Sequence, residues 1–287
     1  MIVVFLIFIK KRKVIPDRLS KYLFVMLPVL WGCGGSDNTN DNPGSPENDV
    51  AAINYSVTAI YPHDTTIFTE GLVFHKEKLF ESGGAPEEFP FTRSVIGYYD
   101  STFRTFTPKV EIDRKQYFGE GITFLHNKLY QLTYTNQKGF VYDAGTFRKT
   151  GEFSYKNKEG WGLTTDGQYI VMSDGTANLT YLEPQTLQPV KVLEVTKNGA
   201  PCDNLNELEF IHGYIYANVW TTNDIVKIDT ATGHVVGKMD LTSIVNEVQF
   251  RKLNADVLNG IAYNPATDKV YVTGKLWPGI YEIDFMR

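Results

Sequence analysis

The chain is poor in the residues that most catalytic chemistries need. Two cysteines occur in 287 residues, Cys33 and Cys202, so a fold stapled by a disulfide framework is excluded. Five histidines occur, His63, His75, His126, His212 and His234, and their spacing matches no zinc site. The last four lie in or near polar turns and read as surface, while His63 and Asp64, in YPHDTT, read as loop. There is no serine–histidine–aspartate order and no glycine-rich phosphate loop. Long apolar runs are missing too: MIVVFLIFI and the segment ending at residue 33 both fall short of the roughly 20 residues that a membrane-spanning helix needs. Positive charge is scarce beyond the start. Residues 1–32 hold six Lys and Arg against Asp17, a local +5, so with a total of −5 the remainder carries −10. A body that acidic repels polyphosphate, which argues against nucleic acid as a partner.

What is present begins with a basic, then apolar, start that closes on YLFVMLPVLWGC (22–33) and is followed by GGSDNTNDNPGSPEND. That order resembles a bacterial lipoprotein signal with its lipobox at Cys33. It implies a lipid-modified Cys33, export from the cytoplasm, a flexible tether over 34–50, and a membrane-anchored body in the periplasm or on the outer membrane. Cys202 is then the only unmodified thiol, expected as a small buried hydrophobe.

From residue 51 onward the chain repeats. One phrase recurs as FTEGLVFHKEKLFES (68–82), FGEGITFLHNKLYQLTY (118–134), GWGLTTDGQYIVMSDG (160–175), LNELEFIHGYIYANVW (205–220) and LNGIAYNPATDKVYVTGK (258–275). Each reads as two alternating strands around a tight turn. Four are followed by a second hairpin of shared character. Aligning Gly71, Gly121, Gly162, Glu207 and Gly260 gives steps of 50, 41, 45 and 53 residues, the length of a four-stranded propeller blade. The fifth unit ends without an outer strand, and SVTAIY at 56–61 can supply it. The expected fold is therefore all-β: a five-bladed β-propeller over 51–287, its ring closed by strands from the two ends. In such a ring the residues just before each inner strand converge on one channel mouth, which places Glu70, Glu120, Trp161, Asn206 and Asn259 on one circle.

These phrases, in this order across essentially the whole body, resemble the plant and bacterial type of glutaminyl-peptide cyclotransferase (glutaminyl cyclase). The resemblance implies conversion of an N-terminal glutamine of peptides or proteins to pyroglutamate with loss of ammonia. It implies Glu120 as the catalytic acid–base, Asn206 on the γ-carboxamide, and Lys275 of TGKLWP near the active site. It also implies no cofactor for the chemistry, although propellers of this kind can hold a structural calcium whose ligands the sequence does not locate. A monomer is expected.

The residue chemistry agrees. The α-amine must attack its own side-chain amide carbon, and one carboxyl can take the amine proton and return it to the leaving nitrogen. Glu120 lies between Phe118 and glycines that allow close approach, and burial among rings raises its pKa. Phe68, Phe118, Trp161 and Trp220 can form an apolar cup around the glutamine methylenes. Two positions depart from the family pattern: Glu70 stands where glutamine is usual, and Tyr134 where tryptophan is common. A second carboxylate beside Glu120 either tunes the acid or holds the substrate ammonium. Two other readings stay open on sequence alone. One is a catalytically silent propeller lipoprotein that binds peptides or small ligands at the channel mouth. The other is a metal-dependent hydrolase or lactonase drawing on Glu70, Glu120 and Glu207.

Overall fold

The computed structural model describes residues 50–286. The signal expected over 1–33, with Cys33, and the tether up to residue 49 lie outside them. Two strands open the described chain, β1 (Ala51–Ala52) and β2 (Tyr55–Pro62). Blade one follows with β3 (Phe68–His75), β4 (Lys78–Gly84), β5 (Val95–Tyr99) and β6 (Phe106–Glu111). Blade two is β7 (Gly119–Leu125), β8 (Lys128–Thr133), β9 (Lys138–Asp143) and β10 (Lys149–Ser154). Blade three is β11 (Leu163–Thr165), β12 (Ile170–Met172), β13 (Asn178–Leu182) and β14 (Pro189–Glu194). After a small hairpin, β15 (Thr196–Lys197) with β16 (Ala200–Pro201), blade four runs β17 (Leu205–Ile211), β18 (Tyr214–Val219), β19 (Asp224–Asp229) and β20 (Val235–Asp240). A helix, α1 (Thr242–Arg251), leads to β21 (Leu258–Asn264), β22 (Lys269–Gly274) and β23 (Gly279–Phe285) of blade five.

The local chemistry that makes the blades is visible in the turns. Lys76 and Glu77, His126 and Asn127, and His212 and Gly213 all have positive φ, the signature of two-residue type I′ hairpins whose twist matches the strands they join. The same turn therefore starts blades one, two and four. The inner strands then touch in a cycle: β3 meets β7, β7 meets β11, β11 meets β17, β17 meets β21, and β21 returns to β3. The close approach depends on the repeated glycine. A Cβ on Gly121 would stand 2.5 Å from the Leu163 amide nitrogen, so any larger residue there would push blade three away.

Ring closure follows the expected plan. The outer strand of blade five is β2, antiparallel to β23 from Tyr55 opposite Phe285 to Pro62 opposite Gly279. The sequence did not signal that β1 joins β20 in parallel and adds a fifth strand to blade four. Nor did it signal α1, whose Ile244, Val245 and Val248 are buried beside Leu258 and Trp277. Among the described residues the core divides into five clusters, and each fills the seam between two neighbouring blades. Burying one Leu, Ile or Val side chain in such a seam contributes about 1.5–3 kcal/mol, so every blade is held mainly by its neighbours. Cys202 is buried in the seam of blades three and four, as expected of a small hydrophobe. His75 departs from the surface reading: it stacks on Phe124 at 4.0 Å with its Nε2 enclosed. No helix among the described residues is long and apolar enough to cross a membrane.

Candidate active site

Four of the five inner strands break register at the same point of the repeat. The pairing shifts between Thr69 and Gly71, between Gly119 and Ile122, between Leu205 and Leu208, and between Leu258 and Ile261. The residues inside these irregularities are Glu70, Glu120 with Gly121, Asn206 with Glu207, and Asn259 with Gly260. A bulge re-aims the side chain it carries, so the repeated phrase is a device for turning polar groups into one mouth. Blade three lacks the break. There Trp161 precedes the inner strand, and its carbonyl accepts the Gly121 N–H at 2.8 Å.

Glu70 and Glu120 are both buried, at 2% and 4% exposure, and their carboxyls interact directly. The Glu70 Oε1 accepts from the Lys275 Nζ at 2.8 Å, and its Oε2 accepts from the Asn259 Nδ2 at 3.3 Å. Lys275 also sits 4.7 Å from the Phe68 ring centroid. Burial raises both carboxyls above the ordinary range. The Lys275 charge opposes this on both, and on Glu70 through a hydrogen bond as well, whereas Glu120 is raised further by the Glu70 charge. The contact between the two carboxyls favours ionisation of Glu70 and disfavours that of Glu120. Glu120 is therefore the harder of the two to ionise, and Glu70 is the acid held beside an ammonium. The sequence pointed to two acids in one pocket; it did not reveal that Lys275 is the counterion of Glu70.

The walls are aromatic. Phe68 and Phe118 meet edge to face at 6.3 Å, Phe118 and Tyr134 lie 5.9 Å apart, and Trp161 and Trp220 form a T-shaped pair at 5.5 Å. The Trp161 indole N–H donates to Glu159 at 2.8 Å. Gly175, at φ +79°, makes room for that indole, because a Cβ there would stand 2.7 Å from the ring. Behind Glu120, the Ser82 hydroxyl donates to its backbone carbonyl at 2.7 Å. Asn206 is 4% exposed, and its Oδ1 finds no partner among the described residues. A buried amide oxygen left unpaired costs about 1–3 kcal/mol, which marks it as an atom that a ligand satisfies.

Phe68, Glu70, Phe118, Glu120, Tyr134, Trp161, Asn206, Trp220 and Lys275 all line one cleft of about 1030 Å³. Asn259 lies just beneath it, on Glu70. Glu159, Asp174 and Asn204 also line the cleft, and nothing in their local sequence set them apart. Glu207 does not join the acids. It lies on the channel axis, where its two oxygens accept the Leu72 N–H at 3.1 Å and the Ile261 N–H at 2.7 Å. The three-carboxylate set that a metal-dependent hydrolase would need is therefore not assembled. Among the described residues no three His, Cys, Asp or Glu side chains converge as metal ligands. His63, read as a loop residue, is buried beneath the site.

The family model for glutamine cyclotransferases matches residues 30–285. The chain is 38% identical over 268 residues to a glutaminyl-peptide cyclotransferase of Arabidopsis thaliana, a match covering 91% of this chain and 78% of the relative. The crystal structure of Myxococcus xanthus glutaminyl cyclase superposes with a TM-score of 0.75 at 34% identity, covering 83% of this chain and 98% of the other.

Proposed function

The chain belongs to the glutamine cyclotransferase family, and we propose that it converts an N-terminal glutamine to pyroglutamate with release of ammonia, using Glu120 as the proton shuttle. The observation that carries the shuttle is the buried Glu120 carboxyl, set against Glu70 and pushed above its ordinary range by burial, inside an aromatic cleft that also contains the unpaired Asn206 Oδ1. The α-amine of a peptide has an ordinary pKa of about 7.7–8.0, so a neutral fraction is available near pH 8. Its nitrogen attacks the γ-amide carbon, closing the five-membered ring while the carbonyl electrons move to oxygen. Asn206 donates its Nδ2 to that oxygen. On collapse the bond to the side-chain nitrogen breaks, and Glu120 gives it a proton, so ammonia leaves. The proton lost by the attacking nitrogen passes to the carboxyl pair and restores it.

Binding divides along the same lines. The aromatic walls grip the two side-chain methylenes, at about 0.8 kcal/mol per buried CH₂, which supplies affinity but little selectivity. Selectivity comes from the amide of Asn206 and from Glu70, whose negative charge repels an N-terminal glutamate. The cleft is at the upper end of the about 300–1,000 Å³ usual for small-ligand sites, which leaves room for the residues after the glutamine. The test is ammonia release from glutamine-initiated peptides. Glu120→Gln keeps size and hydrogen bonding but has no proton to give, and turnover falls by about 10²–10⁴. Turnover near that of the wild type would remove Glu120 from the mechanism.

The proposal extends to placement. The basic and apolar start, Gly32–Cys33 and the polar tether support lipidation at Cys33 and a body held at a bacterial membrane surface, acting as a monomer on exported peptides or proteins.

A further inference from the structure

Between β2 and β3, His63 is enclosed, with a side-chain exposure of 0%. Its Nδ1 lies 2.7 Å from the Trp277 carbonyl oxygen, and its Nε2 lies 2.8 Å from the Glu81 Oε1. A carbonyl can only accept a hydrogen bond, and so can a carboxylate. Both ring nitrogens must then carry hydrogen, which makes the ring an imidazolium. Burial opposes that charge, but the Glu81 carboxylate, its hydrogen bond and the Trp277 carbonyl outweigh it and raise His63 above its ordinary value. The titratable groups facing the ring are Glu81 on β4, Tyr99 on β5 and Asp64 on its own loop.

The two partners lead to the two halves of the Glu70–Lys275 pair. Glu81 Oε1 also accepts the Thr69 hydroxyl at 2.7 Å, and its Oε2 accepts the Tyr99 hydroxyl at 2.8 Å. Thr69 immediately precedes Glu70, and its carbonyl takes the Asn259 Nδ2 that also reaches Glu70. On the other side, Trp277 stands two residues after Lys275. The residue between, Leu276, is held at φ +61°, a left-handed conformation unfavourable for leucine. That turn is pinned by the Leu276 N–H on the Ile67 carbonyl, by the Trp277 indole on the Asp256 carbonyl, and by His63. Packing alone does not call for an ion pair here, since an apolar side chain of the same volume would fill the space at no greater cost.

We propose that His63 is a positioning residue, a buried clamp that fixes Lys275 against Glu70 and so holds the charge of the carboxyl pair at Glu70, away from Glu120. The inference rests on the shuttle reading of Glu120. Without the clamp the Leu276 turn relaxes, Lys275 withdraws, and Glu70 takes up a proton at higher pH. Both carboxyls are then protonated at pH values where the wild type is active.

The experiment has two arms. In the intact wild type, ¹⁵N NMR of the His63 ring at pH 7 should show both nitrogens protonated; a neutral ring with one bare nitrogen would overturn the clamp. This arm needs no turnover, so it still decides the clamp if ammonia release fails and the proposed function falls. In the second arm, His63→Gln, which has one donor nitrogen in place of two and no charge, should lower kcat about 10- to 10²-fold with KM changed less than about threefold, and should move the acidic limb of the rate profile up by about 1 unit. Lys275→Met should produce the same shift, and the two changes together no more than either alone. An unmoved limb in a folded His63→Gln variant, or shifts that add, would refute the proposal; if that variant does not fold, the protonation state read by NMR decides it.

Discussion

Replacing Glu70 by glutamine tests the carboxyl pair most directly. The amide oxygen can still accept from Lys275 Nζ, now 2.8 Å from Glu70 Oε1, so the fold keeps its contact while the pair loses one charge. In the wild type, burial and then the Glu70 charge hold Glu120 well above the ordinary carboxylic range. Two unit charges about 4 Å apart interact by about 4 kcal/mol at an effective dielectric of about 20, which is about 3 pKa units at about 1.36 kcal/mol each. Glu70 is itself raised by burial and carries only part of a charge near neutrality, so about 1–2 units of that survive. The sign follows: removing a neighbouring negative charge makes Glu120 easier to ionise, and its pKa falls. The wild-type pair holds one proton up to the pH at which Glu120 loses it; above that edge the leaving nitrogen has no donor and turnover declines. With glutamine at position 70, Glu120 loses its proton at lower pH, so the alkaline decline should begin about 1–2 units lower. Steady-state pH–rate profiles, with ¹³C NMR titration of the Glu120 carboxyl, read both effects. If Glu120 titrates at the same pH in the variant and the alkaline limb stays, the two acids are not coupled and the proton assignment is wrong.

Asn206→Ala should lower kcat by about 10²–10³, yet leave the melting temperature nearly unchanged, because the Asn206 Oδ1 has no internal partner to lose; a large drop in Tm with intact kcat would make Asn206 structural. Glu207→Gln should do the reverse. It turns an amide NH₂ toward a backbone N–H on the channel axis, at a cost of about 1–3 kcal/mol, and calorimetry should show Tm lower by about 2–4 °C per kcal/mol with kcat preserved in the folded fraction. Cys33→Ser should release the chain from membranes or block its processing, as fractionation would show; wild-type protein found unmodified in the cytosol would end the lipoprotein proposal.

The architecture was legible because its causes are local and repeated. Two alternating strands around a tight turn recur five times, with a glycine at the aligned position in four of them, and a unit too short for its outer strand calls for one from the other end of the chain, which β2 supplies. The circle of Glu70, Glu120, Trp161, Asn206 and Asn259 followed from the same repeat, because equivalent positions on five inner strands must face one mouth. Local pattern does not carry the rest. The register breaks that aim those side chains arise from pairing, and the parallel contact of β1 with β20 pairs Ala51 with Gly237, far along the chain. The charge state of the site was also out of reach. It depends on a lysine 205 residues from Glu70 and on a histidine ring held between a carbonyl 214 residues away and a carboxylate on the next strand but one. A pKa is set by burial and by charges a few ångströms away in space, so only the closed ring decided how readily each acid ionises.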